Sequence, residues 1–257
     1  MGEYNGRINV SKDTMLFVVN SVFEQGIKEN TTKENILKLM PEIYENANDD
    51  EIIKMLPYKT YKALESLIEY TKTSDDIKSF LYKRKYVGMK FLEEAMIIVL
   101  RVKYNNYNYS LNPGVIEILK RLFSEENKKI AKRYGDIEHL VIDMLYTYGI
   151  VDFKFLREQL CRYMEEIITE EELRDIFFTK LNLNTFVNNY DIRWVNTNEI
   201  QEFVTYLEEE YSPIDIGEIA EEQKARKMKY KKFPKAEILK REEYFVNQKG
   251  HRLYQFL

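Results

Sequence analysis

Covalent and acid–base chemistry needs nucleophiles, proton carriers or metal ligands at workable spacing, and this 257-residue chain offers few of them. Its one cysteine, Cys161, sits beside Leu160 in an apolar helical pattern, which predicts a packed thiol rather than a nucleophile. A single cysteine builds neither a disulfide framework nor a cysteine zinc cluster within one chain. His139 and His251 stand far apart, so no HExxH pair or histidine relay forms. His139, next to the apolar Leu140, reads as a structural histidine, and His251 as a solvated one. Phosphate-loop, dinucleotide-fingerprint and GxSxG patterns are missing. The acidic pairs Asp49/Asp50, Glu93/Glu94 and Glu165/Glu166 are of the right type for acid–base or metal work. In a chain with 43 carboxylates, their ordinary role is on solvated helix faces. The expectation is a non-enzyme with no metal and no cofactor.

Two charge constellations stand out. Residues 165–180 hold six acids (Glu165, Glu166, Glu170, Glu171, Glu172, Asp175) against Arg174 and Lys180. Further on, residues 199–222 carry nine acids and no Lys or Arg. The balance then inverts. Lys224, Arg226, Lys227, Lys229, Lys231, Lys232 and Lys235 follow without an acid, with Tyr230 and Phe233 between them. Such a segment suits nucleic acid or another acidic partner. The competing reading is a long exposed helix whose basic end the preceding acids neutralise.

The elements that position these groups are mostly helical. Ser11 caps a stripe through Met15, Leu16, Val19 and Phe23, and Thr31/Thr32 precede a helix expected to end at Pro41. Short helices follow from Asp49/Asp50, from Pro57 and from Thr73/Ser74. Residues 96–111 break the period: a β-branched, aromatic run and Asn105-Asn106 favour a β-hairpin over a helix through 92–103. After Pro113 helical spacing returns, with one helix ending near Gly135 and the next stopping at Tyr148-Gly149. Asp152 and Thr169 read as N-caps, the latter with Glu172 three residues on. Two strands, 183–187 and 190–195, are expected around Asn188-Asn189.

Helix, short strand, two helices and two strands is the order of a winged helix. The pattern therefore predicts a mostly α fold, a helical bundle with a winged-helix-like unit and small β-hairpins. Its parts are an N-terminal helical domain at 1–135, the winged unit at 136–196 and a helical tail at 197–257. Residues 57–111 suggest a looser copy of the same motif.

Short motifs then carry a resemblance over residues 50–257. Leu145-Tyr-Thr-Tyr-Gly-Ile-Val151, Ile168-Thr-Glu-Glu-Glu-Leu173, Tyr211-Ser-Pro213 and Phe233-Pro-Lys-Ala-Glu-Ile-Leu239 resemble a group of uncharacterised helical proteins of low-GC Gram-positive bacteria. Members of that group often end in a cysteine-rich SEC-C zinc module. No cysteine follows Leu239 here, so the resemblance implies the helical fold without the zinc site. It implies no reaction.

Function follows from charge. In a winged helix the second helix of the pair usually enters the DNA groove. Phosphates repel the acids of 165–180, so Glu170, Glu171 and Asp175 are the candidate contacts for a protein partner. Lys224, Arg226, Lys227, Lys229, Tyr230, Lys231 and Lys232 are the candidate contacts for nucleic acid or an acidic partner. Twenty tyrosines, with abundant Lys, Asn and Ile, fit AT-rich coding and core filling better than a base-stacking surface. The longest apolar run, Ala95–Leu100, is far below the ~20 residues of a membrane helix, and Met1-Gly-Glu-Tyr4 has no signal-peptide pattern. The reading is a non-catalytic cytoplasmic interaction protein; the alternative is a nucleic-acid-binding regulator using residues 224–235.

Overall fold

The computed structural model describes residues 6–73, 80, 87–104, 106–112, 114–148, 150–176, 191–197, 200–207, 221–222 and 230–239. The fold is mostly helical with small antiparallel sheets, as the pattern predicts. It divides into two compact units, Met1–Tyr134 and Gly135–Leu257.

In the first unit, strand β1 (Arg7–Ile8) leads to helix α1 (Lys12–Phe17), where Ser11 accepts from the N–H of Thr14. A π-helical turn, Val18–Val22, follows. Helix α2 (Lys33–Asn46) is capped by Thr32 and does not end at Pro41. A mid-helix proline orphans the carbonyl four residues earlier, here Leu37. Buried Asn112 repairs the loss: its Nδ2 donates to Leu37 O and to Met96 O, both at 3.1 Å. Asn48 and Glu51 form a capping box for α3 (Asp49–Met55), and Pro57 opens α4 (Tyr58–Thr71). Phe80 is buried, while the remainder of the expected helix through Ile77 and Leu81 lies outside the described residues.

Helix α5 (Val87–Glu94) ends before strands β2 (Ile98–Lys103) and β3 (Asn106–Leu111), so the hairpin forms and the competing helix does not. Its register pairs Lys103 with Asn106. Asn106 is thus already in the strand rather than in the expected Asn105-Asn106 turn, and Tyr104 takes a positive φ of 49°; Asn105 lies outside the described residues. β1 adds to β2, giving the order β1-β2-β3. The unit's core gathers Met15, Ile36, Met40, Tyr44, Ile53, Leu64, Phe91 and Leu100. Tyr44 and Tyr61 are buried with their hydroxyls donating to Ala95 O and Leu122 O, each at 2.8 Å. Helix α6 (Val115–Leu119) and a 3-10 turn, Lys120–Phe123, follow.

Helix α7 (Glu125–Tyr148) runs on through Gly135, where a helix end was expected. One interior glycine costs about 1 kcal/mol relative to alanine. The buried stripe Ala131, Tyr134, Ile137, Val141 and Leu145 keeps its helical period across that residue and outweighs the cost. The boundary between the units falls within α7.

The second unit continues with β4 (Ile150–Asp152), α8 (Phe153–Met164) and α9 (Glu170–Ile176), then β5 (Asp191–Thr197) and β6 (Ile200–Leu207). Asp152 caps α8 by accepting from the N–H of Phe155 at 3.0 Å, and Thr169 Oγ1 accepts from the N–H of Glu172 at 3.1 Å. The strand order is β4-β6-β5, with Val204 paired to both Val151 and Trp194. A hairpin joins β5 to β6; residues 183–187 and Asn188-Asn189, where the other hairpin was expected, lie outside the described residues. The helical tail expected from residue 197 begins instead as a strand. Residues 200–207 are rich in β-branched and aromatic side chains, and β6 pairs on both edges. The sheet order also separates the units. In the first, the lone strand pairs with the first arm of the hairpin; in the second, with the last arm.

Candidate functional site

The catalytic candidates resolve into structure. Asp49 accepts from Arg121 and from Asn127 Nδ2 at 2.9 Å, and Asp50 from Tyr134 Oη at 2.8 Å. Glu93 and Glu94 are buried, with Glu93 Oε1 accepting from Asn9 Nδ2 at 2.9 Å. Glu165 closes α8 in the left-handed conformation at φ 58°. Cys161 is half-buried rather than buried, and its Sγ accepts from the N–H of Ile168 at 3.3 Å, bracing the turn into α9. His139 is exposed, with Nε2 3.1 Å from Oδ2 of fully buried Asp143. The sequence reading passed over Asp143, a lone acid one helical turn beyond a histidine. Among the described residues no group of three His, Cys, Asp or Glu could hold a metal ion, and no helix is long and apolar enough to cross a membrane. His251 lies outside the described residues.

An open groove of about 580 Å³ in the first unit is lined by Glu65, Glu69, Lys72, Lys120, Phe123 and Lys128, among others. Its lysines are already engaged: Lys72 with Glu69, Lys120 with Glu117, and Lys128 with Glu65 at 3.3 Å. The hydrogen bond from Lys62, then that from Lys128, holds the Glu65 carboxyl below its ordinary range. The groove is charged but self-neutralised.

The two charge constellations belong to the second unit. On α9, Leu173 and Ile176 are buried, while Glu170, Glu171 and Asp175 are exposed. Burying Leu173 and Ile176 turns the acids outward by helical spacing alone. Arg174 Nη2 meets Glu170 Oε1 at 2.8 Å, and that bond lowers the Glu170 pKa. Arg174 also lies 4.9 Å from the Phe153 ring. One arginine thus offsets part of an otherwise acidic face.

The basic stretch is described from Tyr230 onward; Lys224, Arg226, Lys227 and Lys229 lie outside the described residues. Tyr230 to Pro234 is not helical; only Lys235–Ile238 closes a turn, helix α10. An aromatic nest holds this segment. The Tyr230 ring stacks on Phe155 at 4.5 Å and meets Tyr148 edge-on at 5.8 Å; Tyr148 is also 5.9 Å from Phe233. Ring pairs of this kind add about 0.5–1.5 kcal/mol each beyond their burial. Backbone capture completes the seat. Tyr148 Oη donates to Lys231 O at 2.7 Å, and Tyr163 Oη and Arg162 Nη2 donate to Phe233 O at 2.8 and 3.0 Å. The Asp152 N–H donates to Tyr230 Oη at 2.9 Å, and Ile238 is fully buried. Burial pushes the phenols of Tyr148 and Tyr230 up to about 12.

The seat leaves its cations facing water. Lys231, Lys232 and Lys235 are exposed, Lys231 Nζ lies 4.9 Å from the Phe233 ring, and Lys235 Nζ donates to Tyr163 O at 2.7 Å. Among the described residues none of these three, nor Arg162, forms an ion pair with a carboxylate. Of the nine acids of 199–222, Glu199, Glu208, Glu209, Glu210, Asp215 and Glu218 lie outside the described residues. Sequence reading singled out Tyr230, Lys231 and Lys232 but missed Tyr148, Phe155, Arg162 and Tyr163. Their signal was faint: aromatic and basic residues on a helix look like ordinary packing until the segment that covers them is known. The chain matches no protein-family model, and comparison with curated proteins and with solved structures finds no similar chain.

Proposed function

We propose that this chain is a non-catalytic interaction protein of the cell interior, and that residues 136–207 form a winged-helix unit turned to protein binding. Two features support the winged-helix reading: the order α7, β4, α8, α9, β5, β6 and a sheet in which the last strand lies between the other two. The observation that carries the function is the exposed face of α9. The helix that would enter a DNA groove presents Glu170, Glu171 and Asp175, which phosphates repel and a basic protein surface attracts. The test is affinity capture with the full chain, before and after nuclease treatment, using wild type and a Glu171→Lys, Asp175→Lys variant. Partners that survive nuclease and are lost with the charge reversal support the proposal. Partners that vanish with nuclease overturn it.

A second reading has its own observation. Lys231, Lys232 and Lys235 stand on a docked segment without carboxylate partners among the described residues, as a contact for nucleic acid would. Its test is retention of a labelled oligonucleotide across a salt series. Loss on Lys229→Glu, Lys231→Glu and Lys232→Glu favours this reading; weak, salt-insensitive retention removes it.

A further inference from the structure

Residues 230–239 lie on the second unit as a short bound peptide would, rather than as part of its core. Of the ten, only Ile238 is buried; Tyr230 and Phe233 are half-buried and the other seven are exposed. Three anchor side chains therefore hold the segment, at spacings of three and five residues. So few buried apolar side chains put it at the low end of local stability, where a segment opens without the rest of the fold.

The seat beneath is made for an extended main chain. Carbonyls two residues apart face the same way in such a chain, and those of Lys231 and Phe233 both turn to the seat. Lys231 O accepts from Tyr148 Oη, and Phe233 O from Tyr163 Oη and Arg162 Nη2. Pro234, at φ −64° and ψ 147°, holds the polyproline conformation, and a residue before proline is itself confined to extended backbone. The Phe-Pro pair thus arrives with little left to order, which favours its capture. Aromatic side chains that flank an extended, proline-bearing chain are a recurring mode of peptide recognition. Without the segment, the Tyr148 and Phe155 rings that Tyr230 covers would form an aromatic patch open to water, the usual mark of a binding surface.

We propose that the seat formed by Tyr148, Phe155, Arg162 and Tyr163 is a peptide-docking site, closed in cis by residues 230–239. Its partner is an extended segment of another protein with the same anchors: an aromatic residue, Phe-Pro three positions on, and an aliphatic residue five beyond the Phe. Tethering gives the resident segment an effective concentration on the order of millimolar, so it excludes weak ligands and yields to a partner that brings further contacts. The inference concerns α7 and α8 and does not depend on what α9 binds.

Fluorescence anisotropy of a labelled peptide of residues 228–240, titrated with the full chain, tests it. Tyr230→Ala with Phe233→Ala in the chain removes two anchors of the resident segment and leaves the seat intact, and circular dichroism checks that this opened chain is folded. It should bind the peptide roughly tenfold or more tighter than wild type does. A control peptide carrying the same two substitutions keeps every charge, so attraction to the acids of α9 would hold both peptides alike. If the opened chain does not fold, hydrogen exchange of the wild-type chain reads the same competition: excess peptide should speed exchange in residues 230–239. Equal binding by the folded opened chain and wild type, equal binding of the two peptides, or exchange unaltered by the peptide overturns the proposal.

Discussion

Pro41 lies mid-helix in α2 because Asn112, distant in sequence, occupies the carbonyl that the proline leaves without a donor. Asn112→Ala should therefore orphan two buried carbonyls and destabilise the chain by about 2 kcal/mol in urea unfolding. An unchanged midpoint would assign the repair elsewhere. The opposite effect is expected at Glu165, exposed and held at φ 58° where α8 ends. Glu165→Gly should stabilise by about 0.5–1 kcal/mol in the same measurement, because glycine takes that conformation without a Cβ penalty. Local chemistry of this kind was legible in part. The caps Ser11, Thr32, Asp152 and Thr169 are read from residues within one turn. Asn112 was not, since nothing near it in sequence announces its partners.

Among the elements, β2 and β3 were legible because β-branching marks the first arm and alternating tyrosines the second. β6 was not. It was expected to lie in a helical tail, and pairing to a strand far away in sequence on one side decided the outcome. The seat of residues 230–239 was equally hidden, since its rings come from α7, α8 and the segment itself. That seat should come apart in alkali. Tyr148 and Tyr230 titrate near 12 when docked, above the ordinary phenol value of 10.0, so their contribution is complete below about pH 10 and is lost as the pH climbs through 12. Tyrosinate absorbance and hydrogen exchange of residues 230–239 should change together in that window. Release of the segment near neutral pH would contradict the assignment. Tyr148→Phe removes the donor to Lys231 O and should speed exchange in the segment while leaving α9 unchanged.

For the molecule as a whole, apolar periodicity pointed to the mostly helical class, the familiar catalytic motifs were missing from the sequence, and the distribution of charge ranked the remaining functions. In the structure Glu170, Glu171 and Asp175 face outward on α9, and Lys231, Lys232 and Lys235 have no carboxylate partner among the described residues. Acid should destabilise the chain through carboxyls such as Glu34, held low by Arg101, and Glu170, held low by Arg174. Their folded pKa values lie below the unfolded 4.5, so their contribution is present above that pH and is lost as the pH falls through the folded values. Thermal melts at descending pH check the direction, and a melting temperature that rises below pH 4.5 would refute it. The measurement that bears hardest on a protein-binding α9 is quantitative capture by the full chain after nuclease treatment, with and without Glu171→Lys and Asp175→Lys. The account predicts that nuclease leaves the bound protein in place and that charge reversal on α9 removes it. Bound material that is lost to nuclease, and lost also on Lys231→Glu with Lys232→Glu but not on reversal of α9, would contradict it.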